Sequence, residues 1–165
     1  MRRKSSLTLL TALLLSGLVV STTALGGQSA SPSRALVKVA YNETLKKSIV
    51  VDGSGRTVYM FTNDTSGKAT CASEDPLCPK IWPAFTTSGK PLAGKGINAS
   101  LLGTTKGAGG KQQVTYNRHP LYYYHGGFGA PGADKKPGDV KGQSFIVSWY
   151  VLSPKGTPIR TFKHN

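Results

Sequence analysis

Carboxylates are scarce in this chain of 165 residues, with 7 Asp and Glu against 21 Lys and Arg and a formal charge of +14. Paired-carboxylate hydrolysis therefore has little beyond Asp64, Asp134 and Asp139 to draw on, and nothing in their spacing fixes a catalytic separation. Cysteine is scarcer still, limited to Cys71 and Cys78. Their spacing is not Cys-x-x-Cys, no His follows Cys78 as haem attachment requires, and two thiolates cannot fill a tetrahedral zinc site alone. No Gly-x-Ser-x-Gly elbow is present to expose a nucleophilic serine. Charged residues at 17% and hydrophobic residues at 38% fit neither a disordered chain nor a multi-span membrane protein. What is plentiful is punctuation: 20 Gly and 10 Pro predict short strands joined by turns instead of long helices.

The first 24 residues read as a secretory signal, with Arg2, Arg3 and Lys4 leading an apolar stretch from Leu7 to Val20 and small residues ending at Ala24. Ser16, Gly17 and Ser21 to Thr23 shorten the apolar run too far for a retained anchor of about 20 residues. No cysteine lies near the expected cleavage after Ala24, so the exported chain is expected to carry no lipid anchor. Cleavage removes three cations and no acids, leaving +14 − 3 = +11. In an oxidising compartment Cys71 and Cys78 are expected to form one disulfide, which stabilises a fold by roughly 2–3 kcal/mol for so short a loop. Asn42, Asn63 and Asn98 stand in Asn-x-Ser/Thr sites.

A Gly/Ser/Pro-rich leader over 25–35 precedes what reads as a single all-β domain over 36–165. Leu36 to Tyr41 alternates as a first strand, and Ile49 to Phe61 reads as a hairpin about the turn Asp52-Gly53-Ser54-Gly55. On its returning arm Val58 and Met60 share one face and Tyr59 and Phe61 the other, so both faces are expected to be covered. Ile81-Trp82-Pro83-Ala84-Phe85 reads as a plug for an open end of the sheet. Asn98 and Gly103 bound one expected helical turn. A second hairpin runs from Gln113 to Tyr116, turns at Asn117-Arg118 and returns through Pro120 to Tyr124. Phe145 to Leu152 reads as a late strand and Ile159 to Phe162 as an edge strand. Thr57 to Phe61 aligns with Pro120 to Tyr124, and an acid follows each, Asp64 and Asp134. We therefore expect two pseudo-repeats, about 36–85 and 112–153, since neither half alone holds enough apolar residues for a core.

The run Val50-Val51-Asp52-x-x-Gly55-Arg56-Thr57-Val58-Tyr59-x-Phe61-x-x-Asp64 resembles the signature of the secreted-repeat-of-unknown-function family, described as predicted lipoproteins with a Tyr-x-(Phe/Trp/Tyr)-x-x-Asp motif. Further segments agree in order: Trp82-Pro83, Ala99 to Thr104, Val114 to Asn117, His119 to Tyr123, Lys136 to Asp139, and Trp149-Tyr150. The resemblance implies an extracytoplasmic β-rich tandem repeat, and no established activity. Departures are the missing anchor cysteine, Arg118 where the turn usually has Gly, and an apparent insertion over Gly127 to Gly132. Arg118 must adopt positive φ, at roughly 1 kcal/mol, or use another turn type.

The candidate ligand-binding residues are Tyr59, Phe61, Asp64, Tyr122, Tyr124, His119 and His125. A carboxylate beside aromatic rings suits a cation, a sugar or an amine; the competing reading is that the rings pack the sheet while Asp64 ties down a loop. His119 and His125 flank a strand some 20 Å long if extended, too far to share one ion unless the chain bends. No cofactor is expected, and metal or haem belongs to the alternative reading. The charge implies anionic cell-envelope polymers or a membrane surface as partner, with no specific nucleic acid and a monomeric state. These signals together describe a secreted, non-catalytic envelope-binding or structural module, the alternative being an extracytoplasmic redox, metal or haem-binding protein.

Overall fold

The computed structural model describes residues 33–65, 67–127, 129 and 131–161. The signal segment, most of the leader, Phe162 and His164 lie outside the described residues. Eight strands follow in order: β1 (Leu36–Asn42), β2 (Lys47–Asp52), β3 (Tyr59–Phe61), β4 (Leu92–Ala93), β5 (Leu102–Lys106), β6 (Gln112–Tyr116), β7 (His119–Pro120) and β8 (Trp149–Val151). The helical elements are single turns, α1 (Cys71–Glu74) and α2 (Cys78–Ile81), with 3-10 turns at Ala99–Leu101, Ala108–Gly110 and Phe145–Val147. The fold is all-β, and Cys71 and Cys78 form one disulfide that ties α1 to α2.

The alternating residues of β1 pair antiparallel with β2, Val39 opposite Val50, and β4 joins the other edge of β1 in parallel. The expected turn after β2 closes as its Asp predicts: Asp52 Oδ1 accepts from the N–H groups of Ser54 and Arg56, and Thr57 bridges back to Val51. Beyond Thr57 the expected hairpin opens. One edge of β3 pairs with β8, and on the other Tyr59 and Tyr122 exchange two backbone hydrogen bonds, 2.8 and 2.9 Å. Ala84 then bridges Tyr122 from its far side. The order across the centre is therefore β8, β3, the Tyr122 segment and the Ala84 segment, with Tyr59 opposite Tyr122 in the middle.

The β1–β2 hairpin has a counterpart in β5–β6, also antiparallel, in which Thr104 faces Val114. The β3 pairing with β8 corresponds to the Tyr122 bridge with Ala84. Trp82 and Trp149 occupy matching positions, and their rings stack at 3.8 Å and 1°.

Strand alternation sorts the core into two layers. Tyr59, Phe61, Trp82, Tyr122, Tyr124, Trp149 and Val151 pack on one face of the central sheet. Val58, Met60, Phe85, Leu121, Tyr150 and Leu152 pack on the other. The returning arm is thus covered on both sides, as its two apolar faces require.

Three local expectations change. Asn98 does cap a turn, accepting from Ser100 N–H, but β5 starts at Leu102 because Gly103 is paired with Thr115. The late strand is confined to Trp149–Val151. Phe145–Val147 turns instead, with Ser144, Ile146 and Val147 at φ of 61°, 44° and 56°, bringing Phe145 against Trp82 and Tyr124. At the C-terminal edge, Ile159 N–H donates to the Val151 carbonyl and Pro158 bridges Leu152. Asn42 is buried, its amide donating to the Gly138 carbonyl, whereas Asn63 and Asn98 are exposed. Among the described residues no helix is long and apolar enough to cross a membrane, and the disulfide fits an oxidising setting outside the cytoplasm.

Candidate functional site

Tyr59 sits at the centre of the sheet with 0% exposure, and its hydroxyl donates to Asp134 Oδ2 at 2.6 Å. The same hydroxyl accepts from Gly142 N–H at 3.3 Å, and Asp134 Oδ1 accepts from Lys141 N–H at 2.9 Å. The other unit repeats the arrangement in exchange. Asp64 Oδ1 accepts from Thr70 N–H and Oγ1 at 2.7 and 3.0 Å, and the Tyr122 hydroxyl faces Asp64. Each tyrosine thus reaches the carboxylate that follows the other's strand. The exchange is unequal, since neither Asp64 Oδ2 nor the Tyr122 hydroxyl makes a hydrogen bond of good geometry.

Burial dominates the electrostatics of this centre. It pushes the hydroxyls of Tyr59 and Tyr122 well up, and the neighbouring carboxylates, Asp134 and Asp64, push further. Burial also raises the Asp64 carboxyl against the opposing pull of Thr70 N–H. Tyr123 is raised by burial and then by Asp52, whose Oδ2 accepts from its hydroxyl at 3.0 Å. These carboxylates therefore hold the interior together and do not face solvent. Of the residues expected to bind ligand, Tyr59, Asp64, Tyr122 and Tyr124 are brought together, but inside the core. His119 is half-buried opposite Tyr116 in the β6–β7 pair, and burial lowers its pKa. His125 is exposed, at the far end of the Tyr122 segment, where its N–H donates to the Ile81 carbonyl.

Phe61, though only 7% exposed, lines a cleft. Its ring stacks on Trp149 at 4.3 Å and 16°, Trp149 stacks on Trp82, and Tyr124 tilts against Trp82 at 4.6 Å. This four-ring column follows from the exchange of partners, since Phe61 and Tyr124 hold matching positions on either side of the two tryptophans. A cleft of about 300 Å³ opens over the column, lined by Phe61, Trp82, Trp149 and Phe145, with Glu74 and Asp75 at its margin. Sequence reading missed Glu74, Asp75, Phe145 and Trp149 as a group, because they come from separate segments. The available signal was the matched placement of Trp82 and Trp149 after the two acids.

Among the described residues no three His, Cys, Asp or Glu side chains gather as a metal site. No family model, curated protein or solved structure matches this chain.

Proposed function

We propose that this protein is an exported, non-catalytic module that attaches to anionic polymers of the cell envelope through a basic face. The observation that carries the reading is the charge distribution. Residues 76–133 hold Lys80, Lys90, Lys95, Lys106, Lys111 and Arg118 and no Asp or Glu, and all six cations are exposed. Of the 7 acids in the chain, Asp52, Asp64 and Asp134 are buried, so the surface is more positive than composition alone conveys.

The fold concentrates part of that charge. Gly107 N–H donates to the Lys111 carbonyl, which sets Lys106 and Lys111 at one hairpin end. Arg34 Nε donates to the Lys90 carbonyl, and Thr87 links this segment to the same end through Ala35 N–H and the Gln112 carbonyl. Lys111 lines a polar hollow there with Ser33, Thr86, Thr87, Ser88 and Gln112. The non-catalytic reading is supported by the burial of the central tyrosines and carboxylates, Tyr59, Tyr122, Asp64 and Asp134. The likeness to the secreted-repeat family and the leading segment support export.

Retention on isolated envelopes of the secreting cell tests the reading. Binding is expected to fall about tenfold on raising salt to about 200 mM, and to weaken in the Lys90→Gln, Lys106→Gln, Lys111→Gln triple variant. The distant triple variant Lys46→Gln, Lys47→Gln, Lys155→Gln should lose less. Retention indifferent to salt and to both variants would overturn it.

A further inference from the structure

The cleft over the ring column lies where the two units meet, and its two walls have diverged. Gly142 N–H donates to the Tyr59 hydroxyl, and Cys71 stands near that of Tyr122. Three and four residues beyond Cys71 stand Glu74 and Asp75, whereas three and four beyond Gly142 stand Phe145 and Ile146. One wall is therefore acidic and the other apolar, above a floor of Phe61, Trp82 and Trp149.

Glu74 accepts from Asn63 Nδ2 at 2.9 Å and competes with Asp64 for the single proton of the Thr70 hydroxyl, and Asp75 Oδ1 accepts from Leu77 N–H at 2.8 Å. No ion pair among the described residues involves either carboxylate. Glu43, by contrast, is paired with Lys46. Two carboxylates with no ion pair among the described residues thus stand at the margin of a cleft whose floor rings, Phe61, Trp82 and Trp149, are buried and stacked on one another. At physiological salt screening acts over about 8 Å, so a bound cation responds to these two carboxylates more than to distant lysines.

The apolar wall is held against its own preferences. Ile146 and Val147 are 69% and 61% exposed and sit in left-handed backbone that β-branched residues avoid. Strain of this kind persists where surrounding structure imposes it, and it gathers at binding sites.

We propose that this cleft binds a small organic ammonium ion with an apolar body. The body lies in the cleft lined by Phe61, Trp82, Trp149 and Phe145, and the ammonium lies toward Glu74 and Asp75, drawn by their charge. The volume, about 300 Å³, stands at the lower end of small-ligand sites. The site requires a ligand of charge opposite to that drawn by the basic face.

Both tryptophans of the chain line the cleft, so their fluorescence reports on it directly. The full-length exported protein is titrated with cyclohexylmethylammonium and, separately, with its neutral counterpart cyclohexylmethanol. The expected result is saturable binding of the ammonium at least about tenfold tighter than the alcohol, with the preference lost in Glu74→Gln, Asp75→Asn. Absence of a saturable change with the ammonium overturns the proposal, as does equal affinity for the two probes. A preference that survives the double substitution does the same. Should that variant fail to fold, the parent protein in about 1 M salt decides: the preference must collapse there, and its persistence overturns the proposal.

Discussion

Tyr59 and Tyr122 pair backbone to backbone at the centre of the sheet, while each hydroxyl reaches the carboxylate belonging to the other's unit. The Tyr-x-aromatic-x-x-Asp spacing thereby turns inward: Tyr59 donates to Asp134, Phe61 joins the ring column, and Asp64 accepts from Thr70 of its own loop.

The two halves of this exchange differ in strength, which gives a first test. Tyr59→Phe deletes a 2.6 Å bond to a buried carboxylate and leaves that charge short of a donor, at a cost of about 1.5–3 kcal/mol. Tyr122→Phe removes a hydroxyl that makes no well-formed bond and should cost below about 1 kcal/mol. Urea unfolding of both variants checks the order, and equal losses would contradict it.

Asp64 gives stability a pH dependence. Burial raises its carboxyl in the folded protein above the ordinary value of 3.8, so the folded state binds this proton more tightly than the unfolded chain. The contribution is fully present below the unfolded value and is lost as pH rises through the folded one. Asp64→Asn keeps the Oδ1 acceptor for Thr70 and abolishes that loss. Relative to the parent, the variant should gain stability between about pH 3.5 and about pH 7; parallel unfolding curves across that range would refute the assignment.

Arg118 adopts φ of 65° after Asn117 at 47°, a two-residue turn of the type that favours glycine at its second position. Arg118→Gly should raise the unfolding free energy by about 0.5–1 kcal/mol. Thermal melting measures it, and a lowered midpoint would mean that the arginine side chain contributes more than its backbone costs.

Gly142 lies under the ring column, where an added Cβ would meet the Trp82 ring at 2.7 Å and the Tyr124 ring at 2.9 Å. Both rings are packed on several sides and cannot yield cheaply. Gly142→Ala is expected to cost about 1–3 kcal/mol and to broaden the aromatic near-ultraviolet dichroism. Unchanged stability and spectrum would show that the column is loosely held.

Much of the fold was legible because local chemistry agreed with the final structure. Alternation marked β1, β6 and the Tyr59 arm, Asp52 marked its turn, Asn98 its cap, and the two cysteines their bridge. Legibility failed where distant partners decide. Ile49 to Phe61 looks like one hairpin until Tyr122 and β8 take the returning arm, and nothing near Thr57 announces that exchange. Phe145-Ile146-Val147 has strand composition, yet the chain turns there to lay Phe145 against Trp82. The candidate residues Tyr59, Asp64, Tyr122 and Tyr124 were correctly grouped but lie buried, because the sheet is covered on both faces. The cleft went unseen because its walls come from α1, the segment before β8, and β3.

The pairing of Trp82 with Trp149 and of Tyr59 with Asp134 also sets an order of events in folding. These contacts join segments far apart along the chain, and loop closure must precede any gain from them. A chain delivered with its N-terminus first therefore carries residues 36–85 without the Tyr122 segment and then without β8 until each has followed. A chain halted before β8 lacks Trp149, one ring of the four-ring column, and one edge partner of β3.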